Sequence, residues 1–170
     1  MVRPAAGRWN RGMTQRLFLL AALLCTGLMA GVFFAFSTSV MPGLRTADDR
    51  TFITAMQHLN ASIQNGLFFL VFFGALVFPV VAAVLSGRAG DRAAMWWTIA
   101  AAALYLVVLL LTMGIAVPLN DQLASASLAD AARARQDFEG AWVPVNNART
   151  VLSTLALICL GRVIVAGWTR

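Results

Sequence analysis

Three uncharged apolar runs, Leu17 to Val40, Ile63 to Leu85 and Ala93 to Val117, constrain this chain more than any other feature. A bilayer core of about 30 Å needs roughly 20 apolar residues in a helix, and each run is long enough. Inside hydrocarbon only a helix or a closed barrel satisfies its own backbone. Strand-like alternation is absent, so the runs are read as membrane-spanning helices. The composition agrees, with 60% apolar residues, 12% charged residues and a mean hydropathy of +0.77, outside the range of soluble domains. The formal charge of +6 does not point to nucleic acid. All 13 basic residues are arginines scattered between apolar blocks, with no basic stripe.

The first run follows Arg8, Arg11 and Arg16 and so invites comparison with a signal peptide, but about 24 residues is too long for such an h-region. A retained membrane anchor is expected. A fourth span is harder to place, because the uncharged stretch Thr150 to Gly161 is only about 12 residues, or roughly 18 Å of helix. Crossing requires extension past Arg162 toward Trp168, or past Arg149 toward Asn146, and the two arginines cannot both stand in water. Arg162 is expected to snorkel to headgroups with Trp168 as an interfacial anchor. Arg149 is then left near or inside the opposite boundary, where an ionisable side chain faces the bundle interior.

These readings give an all-α fold, a four-helix integral membrane bundle forming one domain over residues 1–170, with spans at about 17–40, 63–85, 93–117 and 146–168. Arg3, Arg8, Arg11, Arg16, Arg88, Arg92 and Arg170 fall on one side; Arg45, Arg50, Arg133, Arg135 and Arg149 fall on the other. The bias is mild, but the N-terminal cluster flanks the first helix, so a multi-pass plasma-membrane protein with both termini cytoplasmic is expected. The two outward loops should carry short amphipathic helices. One begins at Thr46-Ala47-Asp48-Asp49, whose Thr-x-x-Asp pattern resembles a capping box, and runs into the second span. The other repeats the device at Ser127-Leu128-Ala129-Asp130 and would lay Leu128, Ala131 and Phe138 on the membrane surface or over the bundle mouth, as a connector or a lid.

Up-down topology brings the end of the first helix, the start of the second, the end of the third and the start of the fourth to one face. Polar side chains collect in those places: Ser37, Thr38 and Ser39; Gln57, His58, Asn60, Gln64 and Asn65; Asn120 and Asp121; Asn146, Asn147 and Arg149 beside Trp142. On the second helix Gln57, Asn60, Gln64 and Phe68 fall on one stripe, and His58, Ser62, Asn65 and Phe69 on another. On the fourth, Asn146, Arg149 and Ser153 share a stripe, with Pro144 suited to its first turn. Such groups either cap helices and tie neighbours together or line a site. Gly27-x-x-x-Gly31 would admit a close helix neighbour, Pro79 and Pro118 would bend their helices, and Cys25 and Cys159 read as buried thiols.

The segments Gly31-Val32-Phe33-Phe34-Ala35-Phe36-Ser37, Val40-Met41-Pro42, Ala55-Met56-Gln57 with Asn60 and Asn65, Pro118-Leu119-Asn120 with Leu123, and Trp142-x-x-x-Asn146-x-x-Arg149 together resemble the anthrone oxygenase-like family of small four-helix membrane proteins. The resemblance implies oxidation of a reduced polycyclic aromatic, an anthrone, to a quinone by O2 without metal or flavin. One histidine and few clustered ligands are compatible with that expectation of no metal and no cofactor. An anthrone has an acidic C–H, and its enolate can reduce oxygen directly. Phe33, Phe34, Phe36, Phe68, Phe69 and Trp142 would wall a planar substrate, with Ser37, Gln57, Gln64, Asn65 and Asn120 as polar lining. Arg149 would stabilise the enolate oxygen, aided by Asn60, Asn120 or Asn146. His58 suits a general base, with Asp121 second, although the resemblance does not extend to His58. A non-catalytic binder of a small apolar ligand, a factor assisting assembly of a partner, and a homo-oligomer stay open; transport is disfavoured, because a polar path through the cytoplasmic half would be needed and only Thr26, Thr112 and Arg162 stand there or near mid-membrane.

Overall fold

A computed structural model describes residues 6–168, with side chains from Gly12 to Ala166. Arg3 and Arg170 lie outside the described residues, as do the side chains of Arg8, Arg11 and Trp168. All regular elements among the described residues are helical. They are α1 (Ala6–Ala35), a π-helical turn (Phe36–Val40), α2 (Met41–Arg45), α3 (Asp49–Ile63), α4 (Gly66–Arg88), α5 (Arg92–Leu111), a second π turn (Thr112–Ala116), α6 (Val117–Ala124), a short turn of 3-10 helix (Leu128–Asp130) and α7 (Ala131–Trp168). Four helical stretches, Gly12–Arg45, Gly66–Arg88, Arg92–Ala124 and Leu128–Ala166, are long and apolar enough to cross a membrane. The protein is an integral membrane four-helix bundle. Its closed ring has α1 packed on α4 and α7, and α5 packed on the same two helices.

The expected glycine pair is not a crowded helix contact. Gly27 meets only Leu157 Cδ1, at 3.6 Å from an added Cβ, and Gly31 faces open space. Gly74 of α4 is crowded: a Cβ there would stand 2.9 Å from the Phe78 ring and 3.2 Å from Cys25 Sγ of α1. Gly74→Leu is therefore expected to destabilise the bundle by about 1–3 kcal/mol through overpacking. A thermal melt reads the effect, and an unchanged midpoint would show that the Phe78 ring and α1 yield without cost.

Both π turns have a visible cause. Proline has no N–H, and its ring clashes with the carbonyl four residues back, and each π turn directly precedes a proline step, Met41-Pro42 in one case and Val117-Pro118 in the other. The amide hydrogen of Met41 goes to the Phe36 carbonyl, and that of Val117 to the Thr112 carbonyl, each five residues back. One residue is thereby accommodated in a wider turn, which rotates the side chains that follow. Such single π turns commonly mark functional sites. Here they lie on α1 and α5, the two helices that flank α7.

The outward segments form a helical cover. α3 turns Phe52, Ile53 and Met56 inward onto Met41, Ala116, Leu123, Ala131, Phe138 and Trp142. Full burial of each large apolar side chain stabilises the cover by roughly 1.5–3 kcal/mol. Arg135 of α7 fastens the edge. It donates to the carbonyls of Arg45 and Ala47 (2.9 Å each) and to Asp49 Oδ1 (3.0 Å), reaches Glu139 at 3.2 Å, and lies 4.6 Å over the Phe52 ring. Arg45 joins the same Glu139 at 2.8 Å.

Several local expectations are corrected. The cap of α3 is Asp48, not Thr46; its side chain accepts from the amides of Arg50 and Thr51 and from the Thr51 hydroxyl. The Thr51 hydroxyl and these amides hold the Asp48 carboxyl below its usual range. α3 does not run into the second span, because the chain breaks at Gln64 and Asn65 and α4 starts at Gly66. Pro144 lies well inside α7 rather than in the first turn. Burial of Ala131, Phe138 and Trp142 in the cover extends this helix far upstream of the apolar stretch. Of the three residues expected over the mouth, Ala131 and Phe138 are buried there and Leu128 is exposed.

Candidate functional site

Beneath the cover, where the two π turns meet α7, a polar cluster separates two apolar cores. Arg149 is 5% exposed and Asn146 is 1% exposed. Arg162, thirteen residues further along α7 and about 20 Å away along the axis, is exposed. With Arg162 at one boundary of a core about 30 Å thick, Arg149 lies within the hydrocarbon zone. No salt bridge among the described residues involves it.

Asn146 organises the cluster. Its Nδ2 donates to the Phe33 carbonyl at 3.0 Å and to Ser37 Oγ at 2.8 Å. Its Oδ1 accepts from Arg149 Nη2 at 3.0 Å. Ser37 and Thr150 hydroxyls are 3.1 Å apart, and Thr150 donates back to the Asn146 carbonyl at 3.0 Å. Because each hydroxyl has one proton and that of Thr150 is spent on the carbonyl, Ser37 donates to Thr150. A closed circuit thus binds α7 to the π turn at the end of α1.

Arg149 is held differently. Its Nη1 makes a long bond of 3.4 Å to Thr112 Oγ1, the first residue of the second π turn. Its guanidinium lies 4.6 Å over the Phe33 ring and 5.2 Å from the Trp142 ring. Cation–π contact of this kind contributes roughly 0.5–2 kcal/mol, far less than water or a carboxylate would. Arg149 Nε has no acceptor.

The missing acceptor belongs to a pattern. Buried and without a hydrogen-bond partner are Arg149 Nε, Trp142 Nε1, Tyr105 OH, Asn60 Nδ2, Asn120 Oδ1 and, further down α1, Thr26 Oγ1. An unsatisfied buried donor costs about 1–3 kcal/mol, and each such group in a native protein calls for a reason. Gln57 donates to the Leu123 carbonyl at 2.8 Å and so ties α3 to α6. Aromatic walls accompany these atoms: Phe68 stacks on Phe72 (5.6 Å), Phe72 meets Tyr105 edge-on (6.2 Å), and Phe36 packs on Trp142 (5.6 Å).

Of the residues expected at the site, Arg149, Asn146, Ser37, Phe33 and Trp142 come together in direct contact. Phe68 joins the aromatic wall, and Asn60 and Asn120 supply unpartnered atoms. Gln57 is a tether between α3 and α6. The rest serve elsewhere. Asn65 caps α4, accepting from the Phe68 amide at 3.0 Å, and Gln64 donates to the Asn60 carbonyl at 3.2 Å, both exposed. The helix break between them ends the stripes drawn through Gln64 to Phe68 and through Asn65 to Phe69. Phe34 and Phe69 face outward at 58% and 43% exposure. His58 is exposed and lines an open groove with Arg50, Thr51, Thr54, Ala55 and Leu128, because α3 spends its inward face on Phe52, Ile53 and Met56. Asp121 is exposed as well. No group of three or more His, Cys, Asp or Glu side chains among the described residues is placed to hold a metal.

Two contributors were not expected from sequence, Thr112 and Tyr105. Tyr105 is the one tyrosine of the chain and is fully buried. It lies two helical turns before Thr112, on the same face of α5, and belongs to the same core as Phe33, over which Arg149 lies.

No curated protein and no solved structure matches the chain. The family model for anthrone oxygenase matches residues 68–159, more than half of the 170 residues, a stretch that contains Phe68, Tyr105, Thr112, Asn120, Trp142, Asn146 and Arg149. The chain belongs to the anthrone oxygenase family.

Proposed function

We propose that this protein is a membrane-embedded oxygenase that converts an anthrone-type polycyclic aromatic to the quinone with O2, using its own side chains and no resident cofactor. The observation that carries this reading is the buried Arg149, unpaired with any carboxylate among the described residues and set among aromatic rings and unsatisfied donors. That environment favours an incoming planar ligand with an anionic oxygen. In the first step the anthrone methylene gives a proton to water at the membrane surface, and Arg149 holds the resulting enolate oxygen electrostatically in the buried site. The enolate then passes one electron to O2, and the radical pair couples into a carbon–oxygen bond, giving a peroxide anion. Protonation of the peroxide and loss of the second methylene hydrogen with hydroxide leave quinone and water. One O2 is used per anthrone; one oxygen atom enters the product and the other leaves as water.

An apolar substrate would reach the site from the bilayer. The N-terminal arginines, together with Arg88 and Arg92 at the turn between α4 and α5, support a plasma-membrane protein with both termini cytoplasmic. This orientation puts the covered site on the outer side.

Oxygen uptake by purified protein with a model anthrone tests the reading. The expected result is a rate well above spontaneous oxidation, one O2 consumed per anthrone, and a product carbonyl labelled from heavy-oxygen O2. His58→Ala should retain the rate within about twofold, since exposed surface positions rarely matter to a buried site. Absence of acceleration by folded parent protein would overturn the reading, and loss of rate in His58→Ala would return the base to α3.

A further inference from the structure

The proposed function gives Arg149 a ligand but no role to Tyr105. Tyr105 stands in an otherwise apolar stretch of α5, its ring packed among Cys25, Met29, Phe33, Phe72 and Val108, and its hydroxyl has no partner. Packing alone does not explain the hydroxyl, because phenylalanine would fill the same space without burying an unsatisfied donor. Arg149 Nε is unsatisfied too, and Arg149 rests over Phe33, a member of the same core as Tyr105. One unsatisfied donor on α5 and one on α7 thus border the same apolar core, while the other Arg149 bonds are directed at Thr112 and Asn146. Thr112 and Asn146 bind the arginine; Tyr105 binds nothing in the protein.

We infer that Tyr105 OH and Arg149 Nε form a two-donor pocket that takes one ionised oxygen, a phenolate or enolate, of a planar aromatic ligand. This rests on the reading of the cluster as the ligand site, and it adds a second, neutral donor to the cation. A lone cation would accept a carboxylate or a headgroup phosphate. A phenol beside it, framed by Phe33 and Phe72, selects an oxygen carried on a flat aromatic ring. Tyr105 is thereby a ligand-binding residue, and its contribution should appear only with ligands that present such an oxygen.

Equilibrium binding to the full-length protein in detergent, without turnover, distinguishes this role from packing. The probes are a hydroxyanthraquinone, whose visible absorption reports its ionisation, and anthracene, which has no oxygen. Tyr105→Phe is expected to bind the hydroxyanthraquinone about tenfold more weakly, the loss of one hydrogen bond to a charged group. Ionisation of the bound probe should shift to higher pH in the variant, and anthracene should bind parent and variant equally. Arg149→Met should show the same selectivity with a larger loss. Equal affinity of parent and Tyr105→Phe for the hydroxyanthraquinone, equal losses for both probes, or no binding of it by the parent would each overturn the inference. A protein that binds as described but consumes no oxygen with anthrone would leave the pocket standing and overturn the reaction instead.

Discussion

Arg149→Met is expected to melt within a few degrees of the parent, or above it. The substitution removes a charge that is 5% exposed and has no carboxylate partner among the described residues. A buried charge still costs several kcal/mol after relaxation, and apolar replacement of buried charged groups is often neutral or stabilising by about 1–4 kcal/mol. Set against this are two cation–π contacts and the acceptor Asn146 Oδ1, left without Arg149 Nη2. Those losses amount to about 2–4 kcal/mol, so the terms nearly cancel. Methionine matches the length of the stem and packs on Phe33 and Trp142. A residue present for stability would behave otherwise, and a fall of ten degrees or more on a thermal melt would show that Arg149 holds the bundle together.

Its neighbour should behave in the opposite way. Asn146→Leu is expected to lose about 3 kcal/mol of stability, because two groups lose their partners at once: the Phe33 carbonyl and Arg149 Nη2. Ser37 keeps Thr150 and is spared. Asn146→Asp separates the two losses, since a carboxylate still accepts from Arg149 but cannot donate to the Phe33 carbonyl. It should recover part of the stability, read from the midpoint of reversible denaturation in mixed micelles. Equal stability of parent and Asn146→Leu would mean that the circuit through Ser37 and Thr150 contributes nothing to docking α7 on α1.

The difference between these adjacent side chains bears on how far the sequence alone could be read. Asn146 and Arg149 share a helical stripe within a span too short to hide its arginine, and that arithmetic points to both from the sequence alone. Ser37 and Trp142 follow from up-down topology, which brings the same ends of the four helices together, and Phe33 from the family resemblance. Tyr105 and Thr112 do not, because each stands alone in an apolar run and no polar periodicity surrounds it; only the packing of α5 against α7 gives them meaning. The π turns were hidden except for the prolines that follow them. At the end of α3 nearest the membrane the polar residues outnumber the apolar ones, a pattern that on sequence alone turns His58, and Gln64 and Asn65 just beyond it, inward. Phe52, Ile53 and Met56 decided the orientation instead, since burying them outweighs any polar preference, and the break at Gln64 turned two of the three into capping groups. α7 extends well upstream of its apolar stretch for the same reason: burial of Phe138 and Trp142 overrides the signal of Pro144.

The measurement closest to the central proposal is the rate of quinone formation from a model anthrone by parent and Arg149→Met, at equal folded protein and corrected for spontaneous oxidation. The expected result is a fall of about a hundredfold or more in Arg149→Met, the scale seen when one electrostatic stabiliser of a developing oxyanion is removed, with its fold intact by the melt described above. A folded Arg149→Met that forms quinone as fast as the parent would contradict the placement of the reaction at this buried arginine.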